Sequence, residues 1–70
     1  MDRVPVKSSN VQSIGYDAAT RTLEVQFIDG AVYQYFDVPP SLHEEFMCAS
    51  SFGKYLDKYI KKEGFRYVKL

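Results

Sequence analysis

Between residues 11 and 36 apolar and polar positions alternate with a period of two, and turn-forming residues interrupt the alternation twice. Such runs predict β-strands. They fall at residues 11–16, 23–28 and 31–36, with Asp17-Ala18-Ala19-Thr20-Arg21 joining the first two and Asp29-Gly30 the last two. An Asp-Gly pair suits a two-residue type I′ loop, because both central residues there take positive φ. That loop sets Phe27 opposite Val32, Gln26 opposite Tyr33, Val25 opposite Gln34, Glu24 opposite Tyr35 and Leu23 opposite Phe36. In the first hairpin, pairing Asp17 with Thr22 sets Tyr16 against Leu23, Ile14 against Val25 and Gln12 against Phe27. Leu23, Val25, Phe27, Val32, Phe36, Ile14 and Tyr16 then form the apolar face. Ser13, Gly15, Glu24, Gln26, Ile28, Tyr33 and Tyr35 fall on the other.

After Phe36 the period lengthens. Asp37-Val38-Pro39-Pro40 must leave the sheet, since proline donates no ladder hydrogen bond and restricts the residue before it. Ser41 with Glu44 fits a capping box, and Leu42, Phe46 and Ala49 give a short helix its apolar stripe. Ser50 or Ser51 caps a second helix over residues 52–62, where Phe52, Tyr55, Leu56, Tyr59 and Ile60 share one arc and Gly64 supplies the terminating left-handed residue. Residues 65–70 have the composition of a fourth strand or of a tail packed on the sheet. The predicted fold is a small α+β domain: an antiparallel three-stranded meander, then two short helices on the Leu23, Val25, Phe27 face, with a C-terminal strand as an option. Residues 1–9 read as a loose lead-in and residues 10–70 as a single domain. If the helices cover the tyrosine face instead, Tyr33 and Tyr35 become core.

Seventy residues allow one domain, which buries only about 60% of its unfolded surface. With six Tyr, five Phe and no Trp, aromatics must dominate so small a core. No apolar run approaches a bilayer span, the first ten residues lack the apolar stretch of a signal peptide, and the lone Cys48 forms no internal disulfide. The expected location is the cytoplasm, with no membrane partner. Formal net charge is zero, but it is unevenly spread. Residues 10–51 carry one basic and six acidic side chains, whereas residues 52–70 carry six basic and two acidic ones. An anionic partner would meet the C-terminal end, although a solvated helix face accounts for the same lysines.

Ile14-Gly15-Tyr16-Asp17, Arg21-x-Leu23-x-Val25-x-Phe27-x-x-Gly30, Tyr33-x-Tyr35, Val38-Pro39 and Ala49-x-Ser51-x-Gly53-Lys54-Tyr55 occur in an order that resembles the KTSC domain. The resemblance spans roughly residues 10–62, and the tyrosine-x-tyrosine pair is its central mark. This small bacterial domain is named for its place at the C-terminus of some lysyl-tRNA synthetases and also occurs alone. The resemblance implies a link to RNA, drawn from the company the domain keeps, and brings no mechanism.

Aromatic rings on an open sheet face can stack unpaired bases at ~1 to 3 kcal/mol each. Tyr33 and Tyr35 are the candidate platform for single-stranded or transfer RNA, with Lys54, Lys58, Lys61 and Arg66 as phosphate contacts. Glu24 beside Tyr35 and the acidic middle of the chain oppose a polyanion. The tyrosines could instead pair across strands, or lie under a helix or under the tail of residues 65–70. The alternative is a protein-interaction module that uses the tyrosine face or a free sheet edge. Ser50, Ser51 and Gly53 form a minor candidate anion nest that helix capping also explains. Catalysis is not expected, since one His and one Cys sit five apart with no base beside a nucleophile. No cofactor or metal site is expected: a metal pair prefers spacings of three or four. His43 is expected to be solvated and Cys48 partly buried.

Overall fold

The computed structural model describes all 70 residues. Five antiparallel strands form one sheet in sequence order: β1 (Arg3–Pro5), β2 (Val11–Asp17), β3 (Thr22–Phe27), β4 (Val32–Tyr35) and β5 (Tyr67–Lys69). Between β4 and β5 come α1 (Pro40–Met47) and α2 (Phe52–Tyr55), the latter continuing as a π-helical segment, Leu56–Lys61. The α+β class, the meander and the two helices are as the pattern predicts, and of the two options for residues 65–70 the strand is the one that forms.

The first hairpin keeps the expected pairs Asp17 with Thr22, Tyr16 with Leu23 and Ile14 with Val25. Beyond Ser13 a register shift brings Val11, rather than Gln12, opposite Phe27. The extra residue of a β-bulge has this effect. It buries Val11 completely and leaves Gln12 exposed.

The second hairpin departs from expectation by one residue. Leu23 pairs with Tyr35, Glu24 with Gln34, Val25 with Tyr33 and Gln26 with Val32. The loop has three residues, Ile28-Asp29-Gly30: the Phe27 N–H donates to the Ala31 carbonyl at 2.8 Å, and the Gly30 N–H donates to the Phe27 carbonyl at 2.9 Å. Only Gly30 takes positive φ, +94°, while the Asp29 carboxylate accepts the Ala31 N–H at 3.0 Å. A two-residue loop would have put Asp29 at positive φ as well. It would also have set Gln34 on the apolar face opposite Val25, where an unpaired amide costs about 1–3 kcal/mol. The observed register turns Gln34 outward to donate to Glu24 at 2.8 Å and gives the core face two tyrosines.

That face carries the core. Val11, Ile14, Leu23, Val25 and Tyr35 from the sheet meet Val38, Phe46, Leu56 and Ile60 from the helical layer. Helices on the Leu23, Val25, Phe27 face are therefore as expected. The opposite face carries no helix. Its central row, Arg3, Gly15, Glu24, Gln34 and Val68, crosses all five strands.

Two local expectations are corrected. Residues 3–5, read as a loose lead-in, form an edge strand: Arg3 reaches across Gly15 to Glu24, with Nη1 2.7 Å from Oε2. A Cβ on Gly15 would lie 2.7 Å from the Asp2 carbonyl and 3.0 Å from Arg3 Cγ, so only glycine leaves this passage open. The Ser41–Glu44 capping box does not form. Instead α1 starts at Pro40 behind Pro39, using a preset φ and a missing N–H where the helix needs no donor. Ser51 does cap α2, its Oγ accepting the Lys54 N–H at 3.4 Å, and Gly64 ends the helical segment at φ +80°.

Candidate functional site

Moving Tyr33 and Tyr35 to the core face overturns the open tyrosine platform expected from the two-residue loop. Tyr35 is 3% exposed and serves as a floor, while Tyr33 is half-buried. β5 adds a third tyrosine: Tyr67 pairs with Tyr35 and Lys69 with Tyr33. Because cross-strand partners share a face, Tyr67 and Lys69 join the same surface. The Tyr33 ring lies 6.4 Å from Tyr35 and 6.0 Å from Tyr67, and Tyr35 lies 5.8 Å from Tyr67. Phe27 meets Tyr33 edge to face at 5.6 Å.

The helical layer does not cover this end of the sheet fully. Between it and β4–β5 opens a cleft of about 780 Å³, with Phe27, Tyr33, Tyr35, Phe65 and Tyr67 as its aromatic lining. Lys61 and Lys69 stand at its sides, and Asn10 and Asp29 close the end near the hairpin loop. Lys61 Nζ lies 5.3 Å from the Phe27 ring centre and 3.4 Å from Asp57, and Lys69 Nζ lies 6.0 Å from the Tyr33 ring. Burial, with Tyr33, Tyr67 and Asp57 nearby, pushes the Tyr35 hydroxyl up to about 12, so it is neutral at ordinary pH. The lining thus offers several ring faces, two cations and one carboxylate: it suits a flat, conjugated, anionic group. A cationic ligand would have to displace the protein's own ammonium groups from these rings.

Of the expected site residues, the fold gathers Tyr33, Tyr35 and Lys61. Arg66 stacks over Phe36 at 5.6 Å and pairs with Asp37 at 3.3 Å, away from the cleft lining. Lys58 lies 5.1 Å from the Tyr59 ring, and Lys54 is exposed on α2. In the candidate nest Ser51 Oγ already accepts the Lys54 N–H, and Gly53 lies against Asn10, whose Nδ2 would sit 3.2 Å from an added Cβ. The sequence reading missed Phe27, Phe65, Tyr67, Lys69, Asn10 and Asp29. The Tyr67-x-Lys69 alternation was the available signal, once paired in register with Tyr33-x-Tyr35.

The potentially reactive side chains do not converge. His43, expected to be solvated, stacks on Tyr16 with ring centres 4.4 Å apart and planes 9° apart; burial lowers its pKa, opposed by Glu44. Tyr16 in turn donates its hydroxyl to the Val38 carbonyl. Cys48, expected to be partly buried, is exposed. No group of three His, Cys, Asp or Glu side chains could hold a metal ion, and no helix is long and apolar enough to cross a membrane.

Sheet order, helical layer and aromatic cleft define a small α+β domain with one covered and one open sheet face. Residues 7–65 match the KTSC domain, and the chain belongs to that family. It is similar along nearly its whole length to a crystal structure of a KTSC domain protein from Yersinia pestis: TM-score 0.90, 46% identity, 99% of this chain and 96% of that one. An uncharacterised protein of Stutzerimonas stutzeri is 37% identical over 70 residues, covering 100% of this chain and 99% of that protein. A lysine–tRNA ligase of Nostoc punctiforme is 40% identical over 55 residues, which are 79% of this chain but only 10% of the ligase. The matching region is a tenth of that enzyme.

Proposed function

We propose that the domain is a non-enzymatic binding module that takes unpaired RNA in the aromatic cleft. The observation that carries this reading is the meeting of Tyr33, Tyr67 and Phe27 with Lys61 and Lys69 at one accessible end of the sheet. Tyr67 and Tyr33 offer ring surface for bases, Tyr35 supports them from below, and the two lysines meet phosphates. Lys54, Lys58 and Arg66 are candidates for phosphates farther along the strand. An anion at Ser50, Ser51 and Gly53 would compete with Ser51 Oγ for the Lys54 N–H. The likeness to part of a lysine–tRNA ligase adds an RNA context and makes transfer RNA a natural first ligand to try.

The test is an amide-shift titration with mixed-sequence single-stranded RNA and with transfer RNA at two salt concentrations. Two phosphate contacts give a slope of about −1.4 in log affinity against log salt, or roughly sevenfold weakening between about 50 and 200 mM. Shifts at Tyr33, Lys61, Tyr67 and Lys69 that weaken in this way support the reading; their absence at the lower salt rejects it.

A second reading, a protein-interaction module, draws on the outer edge of β5. Tyr67, Val68 and Leu70 are 61%, 42% and 67% exposed beside unpaired backbone groups. A partner captured there would be held by strand pairing and apolar contact, and its binding would hardly respond to salt.

A further inference from the structure

We infer that the cleft, used for RNA as proposed above, selects guanine, and that Asp29 is the residue that makes the selection. The inference rests on the RNA reading of the cleft. Asp29 occupies the hairpin loop at one end of the lining. One of its oxygens, Oδ1, accepts the Ala31 N–H at 3.0 Å, which holds the side chain in place. No protein donor reaches Oδ2, and Oδ1 keeps a second acceptor site. A carboxylate that accepts and never donates therefore belongs to the lining at this end.

Among the RNA bases, guanine alone presents two adjacent donors, N1–H and the N2 amino group, on its Watson–Crick edge, and a carboxylate can take both. Adenine and cytosine place an acceptor beside their amino group, and uracil places carbonyls on both sides of its single N–H. Those acceptors would face carboxylate lone pairs. The guanine edge ends in the O6 acceptor, and Asn10, which lines the same cleft, carries an amide donor. The Asn10 carbonyl accepts the Ile28 N–H at 2.9 Å, which ties it to the loop; its Oδ1 accepts from Ser9, and Nδ2, which lies beside Gly53, has no hydrogen-bond acceptor within the protein. Phe27 and Tyr33 give the ring a surface at this end, with Lys61 beside them for phosphate.

The experiment titrates the labelled protein with short oligouridines carrying one central guanosine, inosine, adenosine or uridine. The guanosine oligomer is expected to bind about tenfold or more tighter than the others, a bidentate base contact being worth that much. Inosine, which lacks only the N2 amino group, should fall toward the uridine level, and the largest shifts should lie at Asp29 and Ala31. Asp29→Asn keeps an acceptor for the Ala31 N–H and should abolish the guanosine preference while leaving the rest of the spectrum in place. Equal binding of all four oligomers overturns the guanine assignment and leaves RNA binding standing. Binding of none overturns the RNA reading and the assignment with it.

Discussion

Val25 lies opposite Tyr33, one residue away from the Gln34 that a two-residue Asp-Gly loop would have placed there. The side-chain period of a strand is two, so that offset moves every side chain of β4 to the other face. Tyr35 and Tyr33 become floor and wall of a cleft, and Gln34 joins Arg3 and Glu24 on the open face.

Tyr35 and Tyr67 should therefore behave oppositely under truncation. Tyr35→Ala empties a site that is 3% exposed and should cost about 3–5 kcal/mol, enough to unfold much of so small a domain. Tyr67→Ala, at a position 61% exposed, should cost less than about 1 kcal/mol while weakening RNA binding. Denaturant titration and RNA titration of both variants check this.

Gly30 holds φ +94° with open space around the position of a Cβ, so any loss on substitution is backbone strain alone. Gly30→Ala should cost about 1–2 kcal/mol in thermal or denaturant unfolding. A neutral result would mean that the loop relaxes to another turn.

Gly15→Ala should release β1 without unfolding the core, since the new methyl meets the Asp2 carbonyl and the Arg3 stem. Hydrogen exchange should show faster exchange at the Val4 and Val6 amides, which face β2, with Leu23 and Val25 still protected. The freed Arg3 would leave Glu24, which is 6% exposed, held by Gln34 alone. Arg3→Ala should accordingly reproduce part of the effect.

Stability should fall at high pH. Burial raises the Tyr35 and Tyr55 hydroxyls to about 12, Tyr55 also donating to Glu45 at 2.9 Å. The unfolded chain ionises near 10, so the contribution is complete below that pH and is lost as pH rises toward 12. Chemical unfolding at stepped pH, followed with tyrosinate absorbance, should show the midpoint dropping across this window. Tyr35→Phe should reduce the slope.

Much of the fold was legible because period-two patterning and turn chemistry are local. Residues 11–27, the two helices and the Ser51 cap follow from them, apart from the bulge at Gln12. The β3–β4 register was not legible from Asp29-Gly30 alone, because the same pair serves a two-residue loop or the end of a three-residue one; the buried cost of Gln34 decides between them. Arg3 was missed because its partner is a glutamate two strands away, reached across a glycine. The cleft was missed for a related reason: Tyr67 and Lys69 enter it through long-range pairing with β4, which no short window reveals.

The most direct test is the amide-shift titration of the labelled protein and its Tyr67→Ala variant with single-stranded RNA at low salt. Salt-sensitive shifts at Tyr33, Lys61, Tyr67 and Lys69 that fade in the variant are the predicted result. No shifts, or shifts on the open face around Ser13, Glu24 and Gln34 with the variant binding unchanged, would contradict the cleft as the RNA site.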